Sequence, residues 1–430
     1  MPLVRPFRAI TYNRDLGPDI SRLIAPPYDV VDAAMRAELL SRDPRNIVAI
    51  DLPEGSDDPD APDYRYRAAH DLWRRWQEDG VLTPDESPAL YLLEQDWEHE
   101  GRPVRRRALL AAVRIHSFEE GVIVPHERTL PKAIADRLEL TRACAANLSP
   151  VFGLYSDPAG EAEAVLDAAG TGAPLFEAVG DDAARSRLWT VRDHRAIAAL
   201  AQVLADKQVF IADGHHRYTV AVAYRDERRA QDAAAGVERR DPAYDYVLMA
   251  LVNMDDPELL VLATHRVARA RGAFDPDAFF DALAERFVLE PASASDIAKL
   301  DAIERPAFLV ATKSGDLRLA VLRDDVDLDE AIPLPASHHW KSLDVAVLQE
   351  LVLRPVLGIH PDEPETLERL SFVKDTRAAL EVPGGDVAFV LRPTRMEQLK
   401  AVALAGEKMP QKSTYFHPKL PTGLVFHALD

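Results

Sequence analysis

The sequence predicts a mixed α+β protein. Two observations carry this. Apolar runs of strand length alternate with longer segments whose apolar residues recur at helical spacing. Pro and acidic residues punctuate the runs, and in two places a turn signal joins two of them into a hairpin. The chain has 430 residues, 47% hydrophobic and 28% charged, an ordinary globular balance with room for two or three domains. The expected division is an N-terminal α/β region over 1–104, a core over 105–270 and a C-terminal α/β region over 271–430.

The elements follow in order. Pro and acidic residues over Asp51–Asp63 (DLPEGSDDPDAPD) predict an exposed loop. Ala68, Leu72 and Trp76, four apart, predict a helix over Tyr64–Asp79. ALYLLEQDW and RRRALLAAVRI predict a hairpin around Glu98–Pro103. Asp136–Ala146 is helical in pattern. Leu188–Val191 is a short strand, His194–Asp206 an Ala-rich helix, Val209–Asp213 a strand, His215–Arg229 a helix, and Tyr246–Met254 a buried strand. The C-terminal third starts near Phe274. AFLVATKSGDLRLAVLR predicts a hairpin turning at Ser314-Gly315. Ser342–Leu353 is apolar nearly all round and predicts a buried helix. DVAFVLRP is a strand. Thr394 with Glu397 predicts a capping box opening a helix to about Ala405. GLVFHAL predicts a closing strand.

Charge narrows the function classes. Lys+Arg is 51 and Asp+Glu is 71, a formal charge of −20. Phosphate polymers and anionic lipid repel such a chain, so neither nucleic acid nor membrane is an expected partner. The one cysteine, Cys144, excludes an intramolecular disulfide and fits a reducing compartment. No apolar run is long enough to span a bilayer. The N-terminus shows no secretory signal, so a cytoplasmic location is expected.

The sharpest chemical signal is VFIADGHHRYTVAVAYRDE at 209–227. A strand ends at Asp213, Gly214 permits a tight turn, and His215, His216 and Arg217 open a helix. Free N–H groups and the positive end of the helix dipole attract an anion there. Arg217 adds a planar fork suited to phosphate, and the histidines can donate hydrogen bonds or shuttle protons. Adjacent His215 and His216 point in different directions on a helix, so a shared metal ion is a weaker reading.

Three further clusters stand out. PHERT at 125–129 combines His126, Glu127 and Arg128, a carboxylate base among polar neighbours. The tail carries Lys400, Lys408, Lys412 and Lys419, four of only ten lysines against 41 arginines. Lys412, Ser413 and Thr414 supply an ammonium and two hydroxyls, the set that meets phosphate oxygens, although the Gly-rich run of a Walker A loop is missing. APPYD at 25–29 presents Tyr28 and Asp29 from a proline-stiffened turn. No Gly-x-Ser-x-Gly, Gly-x-Gly-x-x-Gly or Cys-x-x-Cys occurs.

Taken in order, APPYD, HERT, ADGHHRY and KMPQKSTYFHPKL resemble a widespread bacterial and archaeal family of unknown function. The strand–DGHHR–helix unit is similar to the phosphate turn of the ParB/sulfiredoxin superfamily, which includes partition proteins and free-serine kinases. That resemblance implies a ParB/sulfiredoxin-like core with extra α/β elements at both ends. It implies that Gly214, His215, His216 and Arg217 grip nucleotide phosphates, and it makes Glu127 the counterpart of the serine kinases' base. The turn has no cysteine, so it does not imply sulfiredoxin chemistry.

Three functions follow. The first is a phosphotransferase for a small hydroxylated metabolite, free serine leading, with ATP, another nucleotide or pyrophosphate as donor. Glu127 is its base, assisted by His126 and Asp213. Tyr28, Asp29 and Arg128 face the substrate. Lys408, Lys412, Ser413 and Thr414 join the turn in holding phosphate. Mg²⁺ bridges the phosphates, with Asp213 as its protein carboxylate. The second is a ParB-like nucleotide-binding regulatory module. The third is a metal-dependent hydrolase using His126, His215 and His216. Partners are then a small molecule and a nucleotide, with a homodimer left open.

Overall fold

The computed structural model describes residues 3–54, 64–360 and 363–430. It is mixed α/β, as expected, and divides into two compact units. One comprises Met1–Pro125, Thr129–Leu259 and Pro418–Asp430; the other comprises His126–Arg128 and Leu260–His417.

The first unit is built on a nine-stranded sheet. Its strands are β1 (Val4–Arg5), β2 (Leu90–His99), β3 (Arg102–Arg114), β4 (Ile123–Val124), β5 (Val151–Tyr155), β6 (Phe176–Val179), β7 (Arg185–Val191), β8 (Val209–Asp213) and β9 (Tyr246–Asn253). The spatial order is β4-β8-β5-β9-β3-β2-β7-β6, with β1 on β3. β2 and β3 form the expected hairpin, and Glu100 and Gly101 at its tip both have positive φ. That geometry matches the right-handed strand twist. β4 runs parallel to β8, and β5 parallel to β9. Every residue of β9 is buried, which explains its unbroken apolar run.

Helices α1 (Tyr64–Glu78), α2 (Pro131–Cys144), α3 (His194–Leu204) and α4 (His215–Ala234) belong to this unit. Leu200 and Leu204 of α3 and Tyr218 and Ala221 of α4 join Leu109, Ala111, Ile211 and Met249 in the main core. The buried face of α1 is Tyr66, Ala69, Trp73 and Trp76, not the Ala68–Leu72–Trp76 line. The helix is turned so that three large aromatics, rather than one, leave water. The loop expected over 51–63 lies, from 55 to 63, outside the described residues. At its start Asp51 ends a short helix (Val48–Asp51) and is buried against Arg137 at 3.1 Å, so it is no loop residue. The expected closing strand shrinks to His427–Ala428, paired with Ala146–Asn147.

The second unit holds a six-stranded antiparallel sheet. Its strands are β11 (His265–Ala268), β12 (Phe287–Pro291), β13 (Ala307–Thr312), β14 (Leu317–Leu322), β15 (Leu370–Val373) and β16 (Val387–Val390), in the order β12-β14-β13-β16-β11-β15. A separate ribbon pairs β10 (Leu260–Leu262) with β17 (Tyr415–His417). The buried segment expected over 342–353 begins as α5 (Asp344–Leu348) and continues as a π-helical turn, Gln349–Leu353. The expected capping box is shifted by one residue. Arg395 and Gln398 cap α6 (Met396–Leu404), because the Thr394 hydroxyl donates to the Ser413 carbonyl at 2.8 Å instead.

Each unit buries a histidine that folding keeps neutral. Burial, with Arg266 adding to it, pushes His265 down to about 4. Burial and Arg5 do the same to His427. In the unfolded chain both titrate near 6.5. The unfolded state therefore binds more protons between about pH 4 and 6.5, and stability falls as pH drops through that window. By pH 5 the loss is on the order of 2 kcal/mol per histidine. The urea midpoint should fall clearly between pH 7.5 and pH 5.0; an unchanged midpoint contradicts the assignment.

Candidate functional site

In the first unit, β8 breaks register with β5 between Ile211 and Asp213. A bulge there re-aims the strand end. Gly214 follows at φ +88°, a left-handed conformation that suits glycine, and α4 begins at His215. No side chain caps this 20-residue helix. The strand, turn and helix start fall where the sequence predicts them.

Arg217 folds back over Gly214. Its Nη1 donates to Ser149 Oγ at 3.2 Å and to the Pro150 carbonyl, and its Nη2 lies 3.5 Å from Asp213 Oδ2. Lys419 Nζ reaches the same Asp213 oxygen at 3.1 Å. Burial alone would raise the Asp213 carboxyl, but Lys419 and Arg217 overcome it and hold the group well below the usual carboxylate range. His215 is buried. His216 Nε2 accepts the Leu130 N–H at 2.8 Å, so this nitrogen is an acceptor, not the phosphate donor its sequence position suggests.

Beside Arg217 lies a cavity of about 40 Å³, also lined by Tyr28, Asp51, Arg137, Asn147 and Ser149. That volume holds a few ordered waters or the end of a small molecule, not a nucleoside. The Arg137 guanidinium stacks 4.4 Å from the centre of the Tyr28 ring. Burial pushes the Tyr28 hydroxyl up to about 12 against the pull of Arg217 and Arg137. The APPYD and DGHHR motifs thus converge in one unit. Asp29, by contrast, is exposed.

In the second unit, His126 meets the 409–414 stretch of the tail. The His126 carbonyl accepts the Met409 N–H at 2.8 Å, and His126 Nε2 lies 3.2 Å from Thr414 Oγ1. His126 is fully buried, Glu127 half-buried and Arg128 exposed. The tail loop is clamped at successive carbonyls. Arg266 Nη2 donates to Gln411 O at 3.0 Å and Lys412 O at 3.1 Å, and Thr394 holds Ser413 O. Lys412 is exposed and sits at φ +55°, a strained position for a lysine that this clamping sustains. Burial pushes Lys408 down to about 8. Ser413 and Thr414 are buried; the Ser413 hydroxyl donates to the Pro410 carbonyl. The Ser413 hydroxyl is thus used inside the loop, and the Thr414 hydroxyl faces His126.

Sequence reasoning missed Lys419 and Arg137. Lys419 was visible only as one of the clustered lysines, and Arg137 gave no signal. Among the described residues no group of three His, Cys, Asp or Glu side chains is arranged to hold a metal ion. Among them, too, no helix is long and apolar enough to cross a membrane.

A family model for proteins of unknown function, DUF1015, matches residues 4–346. The chain belongs to the DUF1015 family. Solved structures similar to this DUF1015 protein include a mutant free serine kinase in complex with ADP. It is 12% identical, with 72% of this chain and 86% of that chain covered and a TM-score of 0.33. A conserved hypothetical protein from Pyrococcus furiosus is 14% identical over 73% and 93%, with a TM-score of 0.33. C-terminally truncated SbnI from Staphylococcus aureus is 11% identical over 73% and 85%, with a TM-score of 0.34. No curated protein matches the chain.

Proposed function

We propose that this DUF1015 protein is a phosphotransferase that moves a phosphoryl group between a nucleotide or pyrophosphate and a small hydroxylated metabolite, free serine being the lead acceptor. The observation that carries the reading is the turn at 213–217. A left-handed glycine and the start of a 20-residue helix with no side-chain cap meet the Arg217 guanidinium, which itself lines a small cavity. A helix start together with a guanidinium is a standard means of holding a phosphoryl group. Phosphoryl transfer needs little else beyond charge neutralisation and an oriented nucleophile.

Glu127 is the base in this reading. The residue is half-buried, and the main chain before it is held by the hydrogen bond from Met409 N–H to the His126 carbonyl. Lys408 and Lys412 neutralise transferred charge, Lys412 from a loop that is already ordered. Asp213 spends its carboxylate on Lys419 and Arg217, and Mg²⁺ would arrive with the phosphates.

Product analysis tests the reading. ATP, ADP and pyrophosphate are each incubated with Mg²⁺ and serine and followed by phosphorus NMR. A phosphoserine resonance that grows with enzyme concentration is expected. Nucleotide-dependent dimerisation with no phosphorylated product would instead identify a regulatory module.

A further inference from the structure

We propose that Lys419 contacts the phosphoryl group at the 213–217 turn, with Arg106 and Gln95 as its positioning residues. This rests on the phosphotransferase reading and adds a residue to its site. The first observation is where the ammonium stands. Lys419 Nζ and Arg217 Nη2 approach one oxygen of Asp213, at 3.1 and 3.5 Å. Asp213 is the last residue of β8, and only Gly214 separates it from the helix start, so both cations stand beside the turn. Its carboxylate holds them there until a ligand arrives.

The second observation is the effort spent on the Lys419 backbone. Arg106, on β3, is 1% exposed. Burying a guanidinium costs several kcal/mol unless its donors are well used. Here Arg106 Nη2 donates to the Pro418 carbonyl at 2.6 Å and to Gln95 Oε1. Gln95, on β2, donates to Ser186 Oγ at 3.3 Å and, more weakly, toward the Lys419 carbonyl at 3.4 Å. Two side chains from adjacent strands thus hold two successive carbonyls of the segment that carries Lys419. The Arg106 guanidinium also lies 4.8 Å from the Phe152 ring centre, and Phe152 pairs with Asp213 across the bulge. One buried network therefore sets the position of Lys419 against the carboxylate it faces. A lysine whose only task is to neutralise a carboxylate does not need its main chain fixed, because a four-carbon stem adapts.

Pyrophosphate titration calorimetry separates the two roles. Lys419→Met should weaken pyrophosphate binding by about 10- to 100-fold, the range of one charge-assisted hydrogen bond. Lys419→Arg should recover most of it. The double variant Asp213→Asn/Lys419→Met decides the matter. If Lys419 only neutralises Asp213, removing both charges restores binding; if Lys419 meets the phosphoryl group, binding stays weak. Arg106→Met should weaken binding in the same direction, with no further loss when combined with Lys419→Met. Circular dichroism confirms that each variant is folded. Affinity within threefold of wild type in Lys419→Met, or restored in the double variant, overturns the proposal. If Arg217→Gln abolishes binding while Lys419→Met does not, the Lys419 role falls and the phosphate turn stands. If wild type does not bind pyrophosphate or any nucleotide, both fall.

Discussion

Glu127→Ala is expected to lower turnover by about a thousandfold while nucleotide affinity stays within a few fold, since a positioned general base contributes 10²–10⁴ in rate. The hydroxyl of a small metabolite is a poor nucleophile until its proton has somewhere to go, and a carboxylate supplies that acceptor. Glu127 is suited to the task by its setting. The preceding residue, His126, is fully buried and hydrogen-bonded at its carbonyl, so the main chain leading into Glu127 is fixed. Glu127→Gln, which keeps the shape and loses the base, should behave like the alanine variant. Single-turnover kinetics together with a direct nucleotide titration check the split between rate and affinity. Unchanged turnover in both variants removes Glu127 from the mechanism.

Gly214→Ala should cost anion affinity and stability together. A Cβ at this position would stand 2.8 Å from Arg217 Nε, 2.9 Å from Nη2 and 3.0 Å from Cζ. The guanidinium must then leave its seat against Ser149 and Pro150. The backbone at φ +88° adds about 1–2 kcal/mol of strain for a residue with a Cβ. Arg217→Gln removes the guanidinium that Gly214→Ala displaces, without the backbone strain. The two variants should therefore lose pyrophosphate affinity alike, by tenfold or more, the cost of a charge-assisted hydrogen bond. Only Gly214→Ala should also lower the urea midpoint by the strain term. Equal affinity in wild type and Gly214→Ala would show that the guanidinium's seat is unimportant to binding.

What the sequence makes legible is whatever local chemistry determines. Val209–Asp213 is a short apolar run that stops at Asp-Gly, and both the strand and the helix after it begin where that pattern says. The Glu100-Gly101 and Ser314-Gly315 hairpins are local for the same reason. The spacing by four of Ala68, Leu72 and Trp76 shows the helix α1 but not its buried face, which Tyr66, Ala69, Trp73 and Trp76 form. Tertiary partners were hidden. Thr394 looks like a cap until the Ser413 carbonyl claims its hydroxyl. Ser413 and Thr414 look like phosphate ligands until the loop turns them inward. Asp51 looks like part of an acidic loop until Arg137 buries it. Lys419 belongs to the first unit only because the chain returns to it at Pro418, and no local pattern announces a discontinuous unit.

The most direct measurement is calorimetric titration of pyrophosphate and ADP into the full chain, wild type beside Arg217→Gln. Saturable one-to-one binding to wild type that weakens by at least tenfold in the variant is the expected result, the loss of one charge-assisted contact. Binding that is absent from wild type, or equally tight in both proteins, contradicts the claim that residues 213–217 hold a phosphoryl group.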